Sequence, residues 1–421
     1  MPTAALAHPL PAGMRDLLPT DARAQSTLVR QILGCFELYG YELVILPVFE
    51  YAEVLERGLG TLESSEVLRF VEPETGAVVA LRPDMTPQVA RLLSTRLADA
   101  PLPARLCYQG SVLRRRRERA RRHRQIMQAG IELVGSPGLG GDLEILTVAS
   151  AVMRAAGLTE FVIDLGHAGI TTALLSGLSP ESVPGIVEAL AVRDQREAVA
   201  RAKRAGLRSK ALDAVGGLLD LHGGEEVFAE AQKVFAGTPA ADAVAELRAL
   251  WDAATTQALA PKLIVDLAET RDFAYYTGTV FHVHARGPGQ PIGAGGRYDG
   301  LYERFGNSRP AAGFAFRLDD LRWALESAGV FQPAEAKVLI DPSCAELCLA
   351  LRQRGVGCAV APAGDARAYA AVWRYSHLVE PGDGAPDLVD LTSGKRSALP
   401  SDPPAAATTV AGLVAPRPAR E

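Results

Sequence analysis

The sequence lacks the features of a membrane-bound or exported protein. No apolar run approaches the roughly 18 residues that a membrane-spanning helix requires. The first residues, MPTAALAHPLPAGMRDLLP, do not combine a basic start with an apolar stretch, so they do not resemble a signal peptide. We therefore expect a cytoplasmic protein that makes no contact with a membrane.

Cysteine is also scarce, and its distribution excludes a disulfide framework. The five cysteines are an odd number, scattered along the chain. Cys344 and Cys348 would share one face of a helix, but no third ligand lies near them, so buried thiols are favoured over a metal site. His282 and His284 alternate along a predicted strand and are interpreted as strand-surface histidines. The sequence predicts no metal and no cofactor.

The common phosphate-binding loops are missing. No segment matches GxxxxGK[ST], and the glycine-rich segment GAGGRYDG (293–300) does not follow a strand in the GxGxxG layout of a dinucleotide fold. The net charge of −5 disfavours a general nucleic-acid binder, although the charge is unevenly distributed.

The pattern of apolar residues predicts an α+β protein. With 421 residues, 48% of them hydrophobic, the chain is long enough for two or three domains. Residues 20–40 read as an amphipathic helix, and YELVILPVFEY (41–51) as a buried strand broken by Pro47. Further strands are predicted at 67–72, 77–81, 105–112, 127–134 and 161–166, with helices at 84–99 and 140–156. The order of helices and antiparallel-looking strands indicates an α+β domain.

The second half of the chain changes character twice. Residues 170–260 have no strand signal and are predicted to be a helical insertion, after which strands resume at 262–267 and 278–284. GAGGRYDGLYERFG (293–306) is predicted to form a glycine-rich turn that leads into a helix. We expect a first domain at 1–332, a small α/β domain at 333–405 and a flexible tail at 406–421.

Two segments in the first third of the chain suggest a ligand site. Asp84 and Thr86 stand where a strand gives way to a helix, so they could hold an ammonium group, or simply cap the helix. The second segment runs from Arg114 to Arg124, and eight of its eleven residues are arginine. Guanidinium groups at this density could bind the phosphates or carboxylates of a ligand. The alternative is a loop that only carries its charge in solvent. Gln128 and Glu132 then share one face of an otherwise apolar strand, which favours a ligand site over a plain core.

Two further segments follow the predicted insertion. In RDFAYYTG (271–278), Arg271 with Tyr275 and Tyr276 could fix a carboxylate and a ring of a ligand, although paired tyrosines at a strand edge more often serve packing. The glycines of GAGGRYDG permit close approach of the backbone.

Taken together, the four segments resemble the histidyl-tRNA synthetase core of class II aminoacyl-tRNA synthetases. LRPDMT is similar to the LRPE-G-T segment of that family, and the arginine run with IMQAGIELVG is similar to its motif 2. RDFAYYTGTVF resembles the R-G-L-D-Y-Y signature, and GGRYDGL matches the second histidine signature. The resemblance covers roughly residues 10–330. It implies a class II-like antiparallel sheet flanked by helices, with a degenerate anticodon-binding-like domain after it.

The resemblance also implies a histidine pocket. Its members are Asp84, Thr86, Arg114, Gln128, Glu132, Arg271, Tyr275 and Tyr276. In this picture Asp84, Gln128 and Glu132 receive the ammonium and imidazole groups. Arg114 and Arg271 face the carboxylate.

The departures from the synthetase pattern concern ATP. Arg116 stands where motif 2 has an acidic residue. The third motif, similar to G-F-A-I-G-L-E-R-L, reads GFAFRLDDL here, with Arg317 for a glycine and Asp320 for the arginine that clamps phosphates. Catalysis of adenylation depends on such positioned charge. We therefore expect no catalytic residues and no histidine activation.

These departures favour a paralogous family, the regulatory subunits of ATP phosphoribosyltransferase, which LRPDMTPQVAR and DFAYYTG also resemble. That family implies a homodimer that joins a short-form catalytic subunit in a hetero-octamer, activates it, and binds histidine as the inhibitor of the first step of histidine biosynthesis. The C-terminal region has few basic residues, so tRNA binding is not expected. Two alternatives stay open: a working histidyl-tRNA synthetase, and a synthetase-like protein with another partner or another ligation.

Overall fold

The structure, a computed structural model, describes residues 10–59, 67–114, 124–268, 275–330 and 336–414. The chain divides into two compact units at the boundary between Phe331 and Gln332. Within the described ranges, none of the helices combines the length and the apolar character needed to cross a bilayer.

The first unit is built on a large, mainly antiparallel sheet. Its strands are β1 (Glu42–Leu43), β2 (Phe49–Tyr51), β3 (Leu68–Val71), β4 (Val78–Leu81), β5 (Ala104–Leu113), β6 (Gln125–Val134), β7 (Val162–His167), β8 (His222–Gly223), β9 (Lys262–Asp266), β10 (Thr279–His284), β11 (Gly293–Arg297) and β12 (Ala311–Arg317). Nine strands form one sheet in the order β1-β5-β6-β12-β11-β10-β7-β9-β8, and β2-β4-β3 form a small second sheet. Only the β1–β5 and β7–β9 pairs in these two sheets are parallel. The predicted α+β class is confirmed.

Helices cover the large sheet and supply most of its core. They are α1 (Pro19–Leu38), α2 (Ala52–Leu59), α3 (Thr86–Ser94), α4 (Gly138–Ala155), α5 (Ala168–Leu175), α6 (Val183–Ala191), α7 (Gln195–Arg204), α8 (Ser209–Gly217), α9 (Glu226–Phe235), α10 (Ala241–Thr256) and α11 (Leu318–Ser327). In α1, the buried residues Leu28, Ile32 and Phe36 follow the four-residue spacing of one helix face. They join a core that also contains Ile145 of α4 and Phe314 of β12.

Residues 41–51 differ from the prediction of a buried strand. They form the two short edge strands β1 and β2, and most of their apolar side chains are exposed, with Ile45 at 92%. Each strand has a neighbour on one side only, and Pro47 lies between them without a backbone N–H to extend a ladder. The apolar character of residues 41–51 therefore did not predict whether their side chains are buried.

The glycine-rich segment also differs from the prediction. Residues 293–297 form β11 in the middle of the large sheet rather than a turn, and a 3-10 helix, Asp299–Phe305, follows. Side chains at Gly293 or Gly295 would collide with Phe316 or Phe314 of the neighbouring strand β12. The glycines thus permit close packing within the sheet.

The second unit is a small α/β fold. It contains β13 (Lys337–Ile340), α12 (Leu347–Gln353), β14 (Gly357–Val360), α13 (Ala366–Trp373), β15 (His377–Glu380), β16 (Asp387–Asp390), β17 (Arg396–Ala398) and α14 (Pro403–Val414). The sheet order is β14-β13-β15-β16-β17, with the first two pairs parallel. Cys344 and Cys348 are buried in its core. No group of three potential metal ligands occurs among the residues that the structure describes.

The prediction of a flexible tail at 406–421 is wrong for residues 406–414. Residues 403–414 form α14, which buries Ala406, Ala407 and Val410 against the core of the second unit. Alanine favours helices, and these three residues recur at the spacing of one helix face. Residues 415–421 lie outside the described part of the chain.

Candidate functional site

The site is organised around a carboxylate that the sheet buries completely. Glu132 lies on β6, between β5 and β12, and is 1% exposed. A carboxylate without hydrogen-bond donors would be costly in such a place. Three hydroxyl groups donate to it: Thr86 Oγ1 at 2.7 Å and Tyr108 Oη at 3.1 Å to Oε1, and Tyr298 Oη to Oε2.

A second buried carboxylate, Asp84, lies at the start of α3. Its Oδ2 accepts a hydrogen bond of 2.9 Å from Tyr275 Oη, and its Oδ1 accepts one of 2.7 Å from the backbone N–H of Met85. The second bond joins adjacent residues just before the helix; the N-cap position of α3 is Met85, which has no side-chain cap, so the alternative that Asp84 simply caps the helix is wrong. Tyr275, Tyr276 and Tyr298 pack against one another, with ring centroids 5.0–6.1 Å apart.

The strand that carries Glu132 offers one further polar group. Gln128 is 7% exposed, and its Oε1 has no hydrogen-bond partner among the described residues. Gly130, between the two polar residues, leaves the space that the Tyr108 hydroxyl and ring occupy. Gly313 on β12 similarly leaves space for Glu132 and Tyr298. Both glycines are therefore needed for the tyrosines to reach the carboxylate.

Burial dominates the electrostatics of the two carboxyl groups. It raises the pKa of Glu132 well above its ordinary value, the nearby Asp84 charge raises it further, and the donors Thr86 and Tyr108 oppose the rise. Burial also raises the pKa of Asp84, against the opposing influence of the Arg114 charge and of the Tyr275 hydrogen bond. A cation placed between these carboxylates would favour their charged forms.

A buried ion pair fixes the segment that supplies Tyr298. Arg297 Nε donates to Asp142 Oδ1 at 2.7 Å, and the Arg297 guanidinium also donates to Asp299 and to the carbonyl oxygens of Ser136 and Gly138. Breaking such a pair by removing one partner typically costs about 3–5 kcal/mol. The Arg297 side chain therefore holds in place the backbone of the segment from which the Tyr298 hydroxyl contacts Glu132.

These residues line a pocket with a volume of about 140 Å³. That is below the roughly 300–1,000 Å³ of typical pockets for drug-sized ligands, so it suits a molecule the size of an amino acid. The pocket is lined by Asp84, Thr86, Tyr108, Arg114, Gln128, Tyr275, Tyr276, His282, Gln290, Pro291, Gly293, Ala294, Tyr298, Gly313, Phe314, Ala315 and Arg317. Arg114 donates from Nε to the Pro83 carbonyl oxygen at 2.9 Å.

The structure brings together all but one of the site residues that the sequence suggested. Six of them line the pocket: Asp84, Thr86, Arg114, Gln128, Tyr275 and Tyr276. Glu132 lies behind the lining, bonded to Thr86 and Tyr108. Arg271 lies outside the described residues, as do Arg116 and the remainder of the arginine run from 115 to 123.

Sequence reasoning assigned no ligand-binding role to Tyr108, His282, Gln290 or Tyr298, all of which line the pocket. Tyr108 was treated as part of a plain strand, and His282 as a surface residue, although it is 5% exposed and lines the pocket. Gln290 received no role, since it stands alone in a Pro- and Gly-rich loop. The alternation of His282 with Phe281 and Val283 was consistent with either face, so the sequence held no signal that would have decided its orientation.

The sequence was compared with protein families and with individual known proteins, and both comparisons found matches. Residues 13–321 match the family model described as Histidyl-tRNA synthetase. Two relatives named ATP phosphoribosyltransferase regulatory subunit are similar over most of the chain. The protein of Moorella thermoacetica is 40% identical over 74% of this chain and 80% of its own. That of Symbiobacterium thermophilum is 38% identical over 83% and 90%.

Solved structures agree at the level of the fold. A Bacillus halodurans protein described as an ATP phosphoribosyltransferase regulatory subunit/histidyl-tRNA synthetase superposes with a TM-score of 0.76 at 26% identity, covering 89% of this chain and 98% of its own. Histidyl-tRNA synthetase from a Nostoc species gives a TM-score of 0.77 at 21% identity over 96% and 100% of the chains, which supports the fold alone.

The raised pKa of Glu132 predicts a pH-dependent effect of the substitution Glu132→Gln on stability. Above the ordinary pKa of 4.5 the folded chain holds a proton that the unfolded chain releases, so the Glu132 contribution becomes less favourable as the pH rises. The melting temperature of Glu132→Gln relative to the unsubstituted chain should therefore rise from pH 5 to pH 8. Thermal unfolding without ligand measures it.

Glu144→Gln is the matched control, because the pKa of Glu144 is shifted the other way. Burial acts to raise this pKa, but hydrogen bonds from Arg105 and Tyr41 and the Arg105 charge outweigh burial and lower it. The stability that Glu144 contributes is present above pH 4.5 and lost only as the pH falls below it. Its substitution should cost the same at pH 5 and pH 8. Equal pH profiles for the two variants would contradict the assignment of Glu132.

Proposed function

The chain belongs to the histidyl-tRNA synthetase family and, within it, to the ATP phosphoribosyltransferase regulatory subunits, and from that premise we propose that it senses histidine for a separate catalytic subunit. The observation that carries the proposal is a pair of buried carboxylates at a pocket of amino-acid size: Asp84 lines the pocket, and Glu132 lies directly behind its lining. The catalytic partner is a short-form ATP phosphoribosyltransferase chain, which this subunit activates and which histidine then inhibits through it.

Histidine suits the pocket chemically. It offers two nitrogen-rich groups, an ammonium and an imidazole, for two carboxylates that otherwise accept only hydroxyl and backbone donors. Gln128 Oε1, buried and without a partner among the described residues, is a third acceptor for such a ligand. Arg114 lines the same pocket and would receive the histidine carboxylate. Thr86, Tyr275, Tyr276 and, from the resemblance, Arg271 complete the proposed set.

Histidine activation is proposed to be lost. Asp320 stands where the synthetase pattern has a phosphate-clamping arginine, and its carboxylate accepts hydrogen bonds from Arg317 and Gln290, both of which line the pocket. A carboxylate there opposes the binding of a triphosphate. The subunit itself would then be non-catalytic.

A homodimer is proposed from an exposed apolar surface, here called the apolar strand surface. It comprises Leu43, Ile45, Val48, Phe49, Tyr51, Phe70, Val71 and Val78, which are 40–92% exposed in the isolated chain. Phe49 and Phe70 pack edge to face across the small sheet at 5.7 Å. Exposed apolar side chains in such number mark interaction sites, and a twofold pair would bury the same surface on both copies. A hetero-octamer with the catalytic chain would contain such dimers.

Control by histidine requires that histidine bind one arrangement of the complex better than another. Allosteric coupling energies are typically about 1–3 kcal/mol, which corresponds to about fivefold to 150-fold in affinity. Coupling between two binding sites is reciprocal. The catalytic chain in its active arrangement should therefore weaken histidine binding by the same factor by which histidine disfavours that arrangement.

The first prediction concerns histidine binding by the pure chain. Asp84→Asn and Glu132→Gln should each weaken histidine binding about tenfold or more, because hydrogen bonds to charged groups contribute about 1.5–3 kcal/mol. Isothermal titration calorimetry measures the affinities. Glu144→Gln, which removes a carboxylate outside the pocket lining, should bind like the unsubstituted chain. Unchanged affinity in both pocket variants would remove Asp84 and Glu132 from the site.

The second prediction tests the function itself. Mixing this chain with the short catalytic subunit should raise the rate of ATP phosphoribosyltransferase several-fold, and added histidine should reverse the gain. Asp84→Asn should still activate but should need at least tenfold more histidine for inhibition, because only the sensor is altered. If the mixture shows no complex and no activation, the chain serves another partner.

The third prediction concerns the dimer. Ile45→Asp places a charge on the most exposed residue of the apolar strand surface, so it should convert the dimer to a monomer in sedimentation velocity at micromolar concentration. Val192→Asp, at another exposed apolar residue outside that surface (72% exposed, against 92% for Ile45), should leave the dimer intact. A monomeric unsubstituted chain, or a dimer that survives Ile45→Asp, would contradict the proposed interface.

A further inference from the structure

One wall of the pocket carries an internal ion pair that the proposed sensing role does not require. Arg317 ends β12, and Asp320 lies in the first turn of α11 immediately after it. Arg317 Nε donates to Asp320 Oδ2 at 2.5 Å, and Gln290 Nε2 donates to the same oxygen at 2.7 Å. One carboxylate oxygen thus engages two residues of the pocket lining.

The pair is mostly shielded from solvent. The Arg317 side chain is 23% exposed and the Asp320 side chain 13%. Screening by salt is weaker for partly buried charges than for charges at the surface, so the pairing strongly affects what the pocket admits. With Asp320 present, the Arg317 guanidinium offers a ligand little net positive charge.

Among the residues that the structure describes, anionic side chains outnumber cationic ones at the pocket, which disfavours a phosphate ligand. Among the described residues whose side chains line the pocket, or whose side chains bond to its lining, the cations are Arg114 and Arg317. The anions are Asp84, Glu132 and Asp320. A polyphosphate that approached Arg317 would also lie close to the Asp320 carboxylate bonded to it, and that charge would repel the polyphosphate. A zwitterionic amino acid brings a cation to Asp84 and Glu132 and needs only one cation for its own carboxylate.

We propose that Asp320 is a specificity-determining residue of the pocket: by holding Arg317 in an internal ion pair, it admits an amino acid and rejects nucleotides and other polyphosphates. The proposal deepens the sensing role and rests on it for the identity of the amino-acid ligand. It gives the subunit selectivity in a mixture where the substrates of its proposed catalytic partner are themselves phosphate-rich.

Asp320 could also serve only as an acidic residue in the first turn of a helix, where it complements the helix dipole. The neighbouring residue Asp319 separates the two roles. It occupies the same turn, but its ion pair is with Arg15, which is not part of the pocket lining. Asp319→Asn therefore removes a comparable helix-end charge without releasing Arg317.

The test is the binding of ATP and of inorganic tripolyphosphate to the full chain, by calorimetry at low ionic strength. Asp320→Asn keeps the shape of the side chain and removes its charge, so it should bind both probes at least tenfold more tightly than the unsubstituted chain. Asp319→Asn should show no gain. Adding Arg317→Gln to Asp320→Asn should abolish the gain, since Arg317 is the cation that becomes available.

Each outcome decides the proposal. An equal affinity of Asp320→Asn and the unsubstituted chain for both probes would overturn it, as would a gain that persists after Arg317→Gln or that Asp319→Asn shares. Thermal unfolding checks the fold of each variant, and Asp320→Ser replaces Asp320→Asn if the latter does not fold. The histidine affinity of the control Asp319→Asn should stay within about threefold of that of the unsubstituted chain. A gain in phosphate binding with no histidine binding in any chain would uphold the selectivity and reject histidine sensing.

Discussion

The pocket depends on one constraint, the need to hydrogen-bond a carboxylate that the sheet has removed from water. Glu132 is satisfied by hydroxyls from three separate segments: the start of α3, strand β5 and the residue after β11. Each segment must arrive within hydrogen-bond distance, so the carboxylate fixes their positions. The glycines opposite it and the buried ion pair of Arg297 with Asp142 serve the same requirement, because they make room for Tyr298 and hold its backbone.

Two buried carboxylates raise the free energy of the chain without a ligand, and they favour the binding of a cationic ligand. Burial raises the pKa values of both Glu132 and Asp84, which means that their charged forms are destabilised in the empty pocket. A ligand that brings an ammonium and an imidazole relieves that cost, so part of its binding energy comes from the protein's own electrostatic strain. Sites of this kind commonly exchange stability for function.

The sequence allowed the α+β class and the grouping of the pocket segments to be predicted, for physical reasons. Polar residues at alternate positions of an apolar strand, as in Gln128 and Glu132, have few explanations other than a shared buried site. Other features depend on tertiary neighbours. Residues 41–51 are apolar but lie on sheet edges, and residues 293–297 form a strand although glycine weakens strands in isolation. The ion pair of Arg317 with Asp320 was likewise not predicted, because the two residues were compared with the synthetase motif one at a time and not with each other.

The central claim is that an amino-acid cradle persists in a scaffold that does not use ATP. Its most direct test is histidine-dependent exchange of pyrophosphate into ATP by the pure chain, at a histidine concentration that calorimetry has shown to be saturating. The account predicts full occupancy by histidine with no exchange above a protein-free control. Exchange that depends on histidine and saturates with ATP would contradict the account and identify a working synthetase.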